Sequence, residues 1–132
     1  MNISRIEHIG IAVKSIENAL FFYEKILGLD CYNVEEITDQ GVKTAFFRIG
    51  DTKIELLEPS SEGSVIAKFI KKRGEGVHHI AFSVSNINDV LTEMKSKGVQ
   101  LIDKMPRSGA EGLLIAFLHP KTTNNILIEL CQ

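Results

Sequence analysis

The sequence predicts an α+β fold of tandem βαβββ modules, forming a curled mixed sheet with helices on the outside. Two observations carry this: the chain repeats itself, and each repeat reads as a strand, a helix and then further strands. At an offset of 71 residues, His8/His79, Ile9/Ile80, Val13/Val84, Ile16/Ile87 and Leu20/Leu91 are identical. Ala45-Phe46 returns at the same offset as Ala116-Phe117, and Gly28 matches Gly98 with one residue dropped. Ile54-Glu55-Leu56 returns as Ile128-Glu129-Leu130 at an offset of 74, which places three extra residues near 120–125. Self-similarity at a fixed spacing marks a duplicated supersecondary unit. The 132 residues fit one domain of two repeats, about 3–59 and 75–131, joined by a short helix and a glycine-containing linker.

Residues 5–13 are rich in β-branched and apolar types and predict the first strand. Ser15 is placed to cap a helix in which Ile16, Ala19, Leu20, Tyr23, Ile26 and Leu27 recur at helical spacing, and Gly28 stops it. Strands follow at 31–37, 43–49 and 52–58, with turns at Gly41 and Gly50-Asp51. Ser64 caps the connecting helix, whose Ile66, Phe69 and Ile70 face inward, and Gly74-Glu75-Gly76 forms the linker. The second repeat gives a strand at about 77–84. A helix follows at about 87–97, with Ile87, Val90, Leu91 and Met94 on one face and Gly98 behind it. Further strands are expected near 100–104, 113–118 and 126–131.

Composition narrows the function classes. Hydrophobic residues make up 44% and charged residues 24%, which excludes intrinsic disorder. A net charge of -2 leaves no electrostatic footprint for nucleic acid. No apolar run is long enough for a membrane span, and Arg5 and Glu7 interrupt any signal-peptide core at the N-terminus. Two cysteines, Cys31 and Cys131, make no disulfide framework, and a cytoplasmic protein with reduced thiols is expected.

Strand alternation places Glu7, Ile9, Ile11 and Val13 on one face and Ile6, His8, Gly10 and Ala12 on the other. In the second repeat His78, Ile80, Phe82 and Val84 oppose Val77, His79, Ala81 and Ser83. The bulky faces are expected to pack under the helices. The histidine faces carry small neighbours, which would leave room for something other than protein. A lone histidine there is ordinarily a surface residue; two in register in duplicated halves are not so easily dismissed. Glu55 and Glu129 sit at matching positions between apolar residues, where an unpartnered carboxylate is costly. Solvent-facing alternation explains either carboxylate alone. Duplication of a core explains the apolar identities but not a histidine and a glutamate kept in both halves. If symmetry brings the four together, two imidazoles and two carboxylates suit a divalent first-row ion, with Zn, Co, Ni, Mn and Fe(II) all open.

These residues also carry a resemblance. His8-Ile9-Gly10-Ile11-Ala12-Val13, Gln40-Gly41-Val42-Lys43, residues 53–59 and Ile66-Ala67-Lys68-Phe69 resemble the vicinal oxygen chelate (glyoxalase/bleomycin-resistance) superfamily. The likeness continues through residues 76–82, Ala116-Phe117-Leu118-His119-Pro120-Lys121 and Leu127-Ile128-Glu129-Leu130, and within the superfamily it is greatest to the methylmalonyl-CoA epimerases. The resemblance implies metal ligands at His8, Glu55, His79 and Glu129, a divalent ion (Co, Ni, Zn or Mn), an acyl-CoA substrate and a homodimer. Two departures stand out. Some epimerases carry a catalytic glutamate where this chain has Thr44, and relatives often have a glycine pair within the stretch Thr122-Thr123-Asn124-Asn125.

The implied reaction is a 1,1-proton transfer. The α-proton between a thioester and a carboxylate is weakly acidic, and a chelating metal stabilises the enolate as charge develops. Glu129 is the expected base on one face; if Thr44 cannot transfer a proton, the acid/base on the other is Glu55, another group or water, and Glu55 is the one assigned. A glyoxalase I acting on a glutathione hemithioacetal uses the same ligand logic, and a non-catalytic small-molecule-binding protein of the same fold is a third reading. Lys71-Lys72-Arg73 could meet CoA phosphates but are read first as cations favouring a helix C-terminus. Arg107-Ser108-Gly109 and Lys121 could border a substrate but are read first as solvated loop residues, and His119 as a loop residue. Cys31 and Cys131 are read as small buried residues without a nucleophile's surroundings.

Overall fold

The structure is a computed structural model and describes residues 1–132. Its strands are β1 (Ile3–Ala12), β2 (Cys31–Ile37), β3 (Val42–Ile49), β4 (Thr52–Pro59), β5 (Gly76–Val84), β6 (Arg107–Ser108), β7 (Leu114–Leu118) and β8 (Ile128–Cys131). Its helices are α1 (Ile16–Leu20), α2 (Val65–Arg73) and α3 (Ile87–Ser96). The chain is α+β and divides into two compact units. One holds Ile9–His78; the other holds Met1–His8 and His79–Gln132. Strands β1 and β5 contribute residues to both. No helix is long and apolar enough to cross a membrane.

In the Ile9–His78 unit the strand order is β2-β3-β4-β1. Antiparallel registers pair Ala45 with Leu56 and Phe46 with Glu55, and Glu35 with Thr44. Ser15 caps α1, accepting the Asn18 N–H at 3.2 Å. The helix widens into a π-helical turn over Phe21–Ile26, and Gly28 ends it with φ +73°. Val13, Ile16, Ala45, Phe47 and Leu56 form one buried cluster, with Ile11, Ala19, Leu20 and Tyr23 packed on it. The bulky residues Ile11, in β1, and Val13, just after it, therefore do pack under the helix. Ser64 caps α2, accepting the Ala67 N–H at 3.1 Å. Its Ile66 packs on Ala12, Val42 and Leu57. The space expected beside Ala12 is thus filled by α2, because a small residue lets a helix approach closely.

In the other unit the order is β1-β5-β8-β7-β6. β5 and β8 run parallel, pairing Ala81 with Glu129, and β7 and β8 run antiparallel, pairing Phe117 with Glu129. Asn86 caps α3, accepting the Asp89 N–H at 3.1 Å. Ile87, Val90 and Leu91 of that helix pack with Val84, Ala116, Leu118 and Leu130. Ala81 is buried in a cluster with Ile115 and Cys131, with Leu113 and Phe117 packed against it.

The strand expected at 100–104 does not form. Leu101 makes an isolated bridge to Leu118, and the N–H groups of Ile102 and Asp103 both point to the Phe117 carbonyl. The Asp103 carboxylate takes the Phe117 N–H at 2.8 Å and the Arg107 Nε–H at 3.2 Å. This side chain occupies the hydrogen-bonding edge that a continuing ladder would need. Where relatives were expected to carry a glycine pair, Asn124 and Asn125 adopt φ +59° and +64°. Asparagine tolerates this left-handed region better than most residues.

Candidate metal centre

Local strand geometry explains how three of the four expected ligands meet. His79 and Ala81 share a face of β5, and Ala81 pairs directly with Glu129 on β8. The His79 ring packs edge-to-face on Phe117, the residue opposite Glu129 on β7, with centroids 5.5 Å apart. β1 is the neighbour of β5 in this unit and delivers His8. His8, His79 and Glu129 are 4, 5 and 4% exposed.

The ring nitrogens face each other. His8 Nε2 lies 2.9 Å from His79 Nε2 and 3.0 Å from Glu129 Oε2, and His79 Nε2 is 3.9 Å from Glu129 Oε1. Cys131 Sγ donates to Glu129 Oε2 at 3.0 Å. Burial pushes the Glu129 carboxyl upward. The contact with His8, the electrostatic influence of His79 and His8, and the hydrogen bond from Cys131 together outweigh it and hold the group below its ordinary value. Glu129 is therefore a carboxylate at neutral pH.

This donor set fits a divalent cation. His8 Nδ1 lies 2.6 Å from Glu7 Oε1, a hydrogen bond that places a proton on Nδ1. A neutral His8 then presents the lone pair of Nε2 to two other electron-rich atoms at once. One proton satisfies one of those two contacts; a cation satisfies all three donor atoms. Metal–ligand bonds of about 2.0–2.1 Å place ligands at right angles about 2.9–3.0 Å apart. The His8–His79 and His8–Glu129 separations match that spacing. Two imidazoles and a carboxylate suit a borderline first-row ion better than Ca or Mg.

Glu55, the fourth expected ligand, is on β4 of the Ile9–His78 unit. It is buried, with Lys53 Nζ 3.9 Å from Oε2. Thr44, on the neighbouring strand, is buried with its Oγ1 making no hydrogen bond. His119 accepts the Lys121 N–H at Nδ1, at 3.0 Å, and caps the turn Pro120–Thr122, in keeping with its reading as a loop residue. Sequence reasoning missed Glu7 and Cys131. Alternation sent Glu7 to the helix-facing side of β1, yet its carboxylate turns back onto the neighbouring ring. The available signal was an acidic residue beside a candidate ligand, and for Cys131 a shared strand parity with Glu129.

Comparison with known proteins follows the same lines. The Glyoxalase/Bleomycin resistance protein/Dioxygenase superfamily matches residues 7–117. The uncharacterized protein YqjC of Bacillus subtilis is 46% identical over 129 residues, covering 98% of this chain and 92% of that one. The mitochondrial methylmalonyl-CoA epimerase of Homo sapiens is 38% identical over 132 residues, covering 99% of this chain and 75% of that protein. A solved Streptomyces coelicolor methylmalonyl-CoA epimerase variant, in complex with 2-nitronate-propionyl-CoA, superposes with TM-score 0.95 at 37% identity. That match covers 98% of this chain and 94% of the other.

Proposed function

The chain belongs to the Glyoxalase/Bleomycin resistance protein/Dioxygenase superfamily, and we propose that it is an isomerase, a methylmalonyl-CoA epimerase. Its metal would be held by His8, His79 and Glu129. Glu55 joins the set as the repeat counterpart of Glu129, on the sequence argument alone. The observation that carries the reading is the buried His8–His79–Glu129 cluster in a chain similar over its whole length to epimerases.

The chemistry demands removal of a weakly acidic α-proton and its return on the opposite face. A bound divalent ion supplies Lewis acidity, lowering the cost of negative charge developing on a carbonyl oxygen. Glu129, ionised and fixed by His8 and Cys131, accepts the α-proton at a carboxylate oxygen. Such a base works within about 2.6–3.2 Å of its proton, directly or through one water. The second proton would come from Glu55, which must enter the step protonated and therefore off the ion; exchange with solvent then takes the proton from Glu129 and restores the one on Glu55. Thr44 cannot fill this role, because a hydroxyl is too weak an acid and its conjugate base too costly at neutral pH. Burial of the cluster keeps bulk water from competing for the charge. In the cell we place the protein in the cytoplasm as a homodimer, which light scattering tests as twice the chain mass.

Incubation with one epimer of methylmalonyl-CoA in deuterated water tests the proposal. The expected result is formation of the other epimer with deuterium at the α-carbon. No exchange, together with S-lactoylglutathione from methylglyoxal and glutathione, would instead identify a glyoxalase I. Inactivity towards both, with no metal retained, would identify a binding protein.

A further inference from the structure

Successive strand residues point to opposite faces, so the Glu7 and His8 side chains leave β1 in different directions. The Glu7 carboxylate nevertheless bends back and places Oε1 2.6 Å from His8 Nδ1, with both residues buried. Its other oxygen, Oε2, lies 3.8 Å from Arg5 Nη2. Burying a carboxylate is costly unless its partners compensate. The shorter of these two Glu7 contacts is to one ring nitrogen, and that ring's other nitrogen faces His79 and Glu129. We infer that Glu7 is a positioning residue of the metal centre: it accepts a hydrogen bond from His8 Nδ1–H, fixes the ring's orientation, and commits Nε2 to the ion. This rests on the metal-centre reading.

The chemistry follows from the imidazole itself. A neutral ring carries one N–H, so an acceptor at Nδ1 leaves a lone pair at Nε2. An anionic acceptor also raises the basicity of that lone pair. Glu7, His8 and Cys131 bring ligand atoms within 4.8 Å of one another, but a cation between Glu7 and His8 Nδ1 is disfavoured. Their 2.6 Å separation is hydrogen-bond length, shorter than the roughly 2.9 Å that two ligands at right angles on an ion require.

Glu7→Gln tests this, since the amide keeps the shape and its oxygen can still accept a weaker, uncharged hydrogen bond. Metal-free wild type and variant are titrated with Co(II) against a chelator of known affinity. Separately, the imidazole nitrogens of the metal-free proteins are read by NMR. The variant is expected to bind Co(II) about 10–100-fold more weakly, with a shifted visible absorption spectrum. Wild-type His8 is expected as the Nδ1–H tautomer, a preference the variant loses. Glu7→Asp, with the charge on a shorter arm, should fall between the two and serves if the glutamine variant does not fold. Unchanged Co(II) affinity and tautomer in a folded variant would overturn the role of Glu7 and leave the metal centre standing. A wild type that binds no divalent ion would overturn the metal centre, and the role of Glu7 with it.

Discussion

Replacing Glu129 with glutamine keeps the side-chain shape and removes its charge, and the structure separates two consequences. Glu129 is buried, with Oε2 3.0 Å from His8 Nε2 and accepting from Cys131 Sγ at 3.0 Å. Hydrogen bonds to charged groups contribute about 1.5–3 kcal/mol each, so the metal site weakens, and excess metal can offset that loss. Proton abstraction has no such remedy. A positioned general base contributes about 10²–10⁴-fold, which is about 3–5 kcal/mol of barrier at 1.36 kcal/mol per tenfold. With metal saturating, Glu129→Gln is therefore expected to epimerise methylmalonyl-CoA at least 100-fold more slowly than wild type. The assay follows epimer ratio and α-deuterium together by NMR, with circular dichroism confirming the fold. A variant retaining more than about a tenth of the wild-type rate under those conditions would refute Glu129 as the base.

Other substitutions read the scaffold around the site. Ile87→Ala empties a fully enclosed position beneath α3 and should cost about 2–5 kcal/mol in urea unfolding. Gly41 holds φ +63°, and an added Cβ would meet Ser64 Cβ at 2.9 Å. Gly41→Ala should therefore destabilise by about 1–3 kcal/mol, measured as a lower Tm. Asn86→Ala removes the α3 cap at a cost of about 1 kcal/mol, again by Tm. Glu55→Ala removes the carboxylate 3.9 Å from buried Lys53 and should lower both urea stability and metal retention. Full retention of metal would remove Glu55 from the ligand set.

His8, His79 and Glu129 were legible because duplication placed the same polar residue at the same point of two apolar strands, and strand parity chose His79 over His78. The helices were legible from their caps, as Ser15, Ser64 and Asn86 all accept hydrogen bonds from the first turn. Parity failed where a side chain is long enough to defy it: Glu7 leaves one face of β1 and reaches back to His8. Small residues misled in another way. Ala12 and Ala81 suggested space, and the fold uses them for close packing against Ile66 and Ile115. The expected strand at 100–104 was lost to Asp103, whose side chain takes the Phe117 N–H that a ladder would have used. Such competition between side chain and backbone is not visible in apolar periodicity.

Metal content of the purified chain is the most direct measurement. The wild type, dialysed against buffer containing Co(II) or Zn(II), should hold about one ion per chain, while His8→Ala and His79→Ala should each retain far less with circular dichroism unchanged. Equal metal in the wild type and both variants would contradict a centre built on the two facing imidazoles.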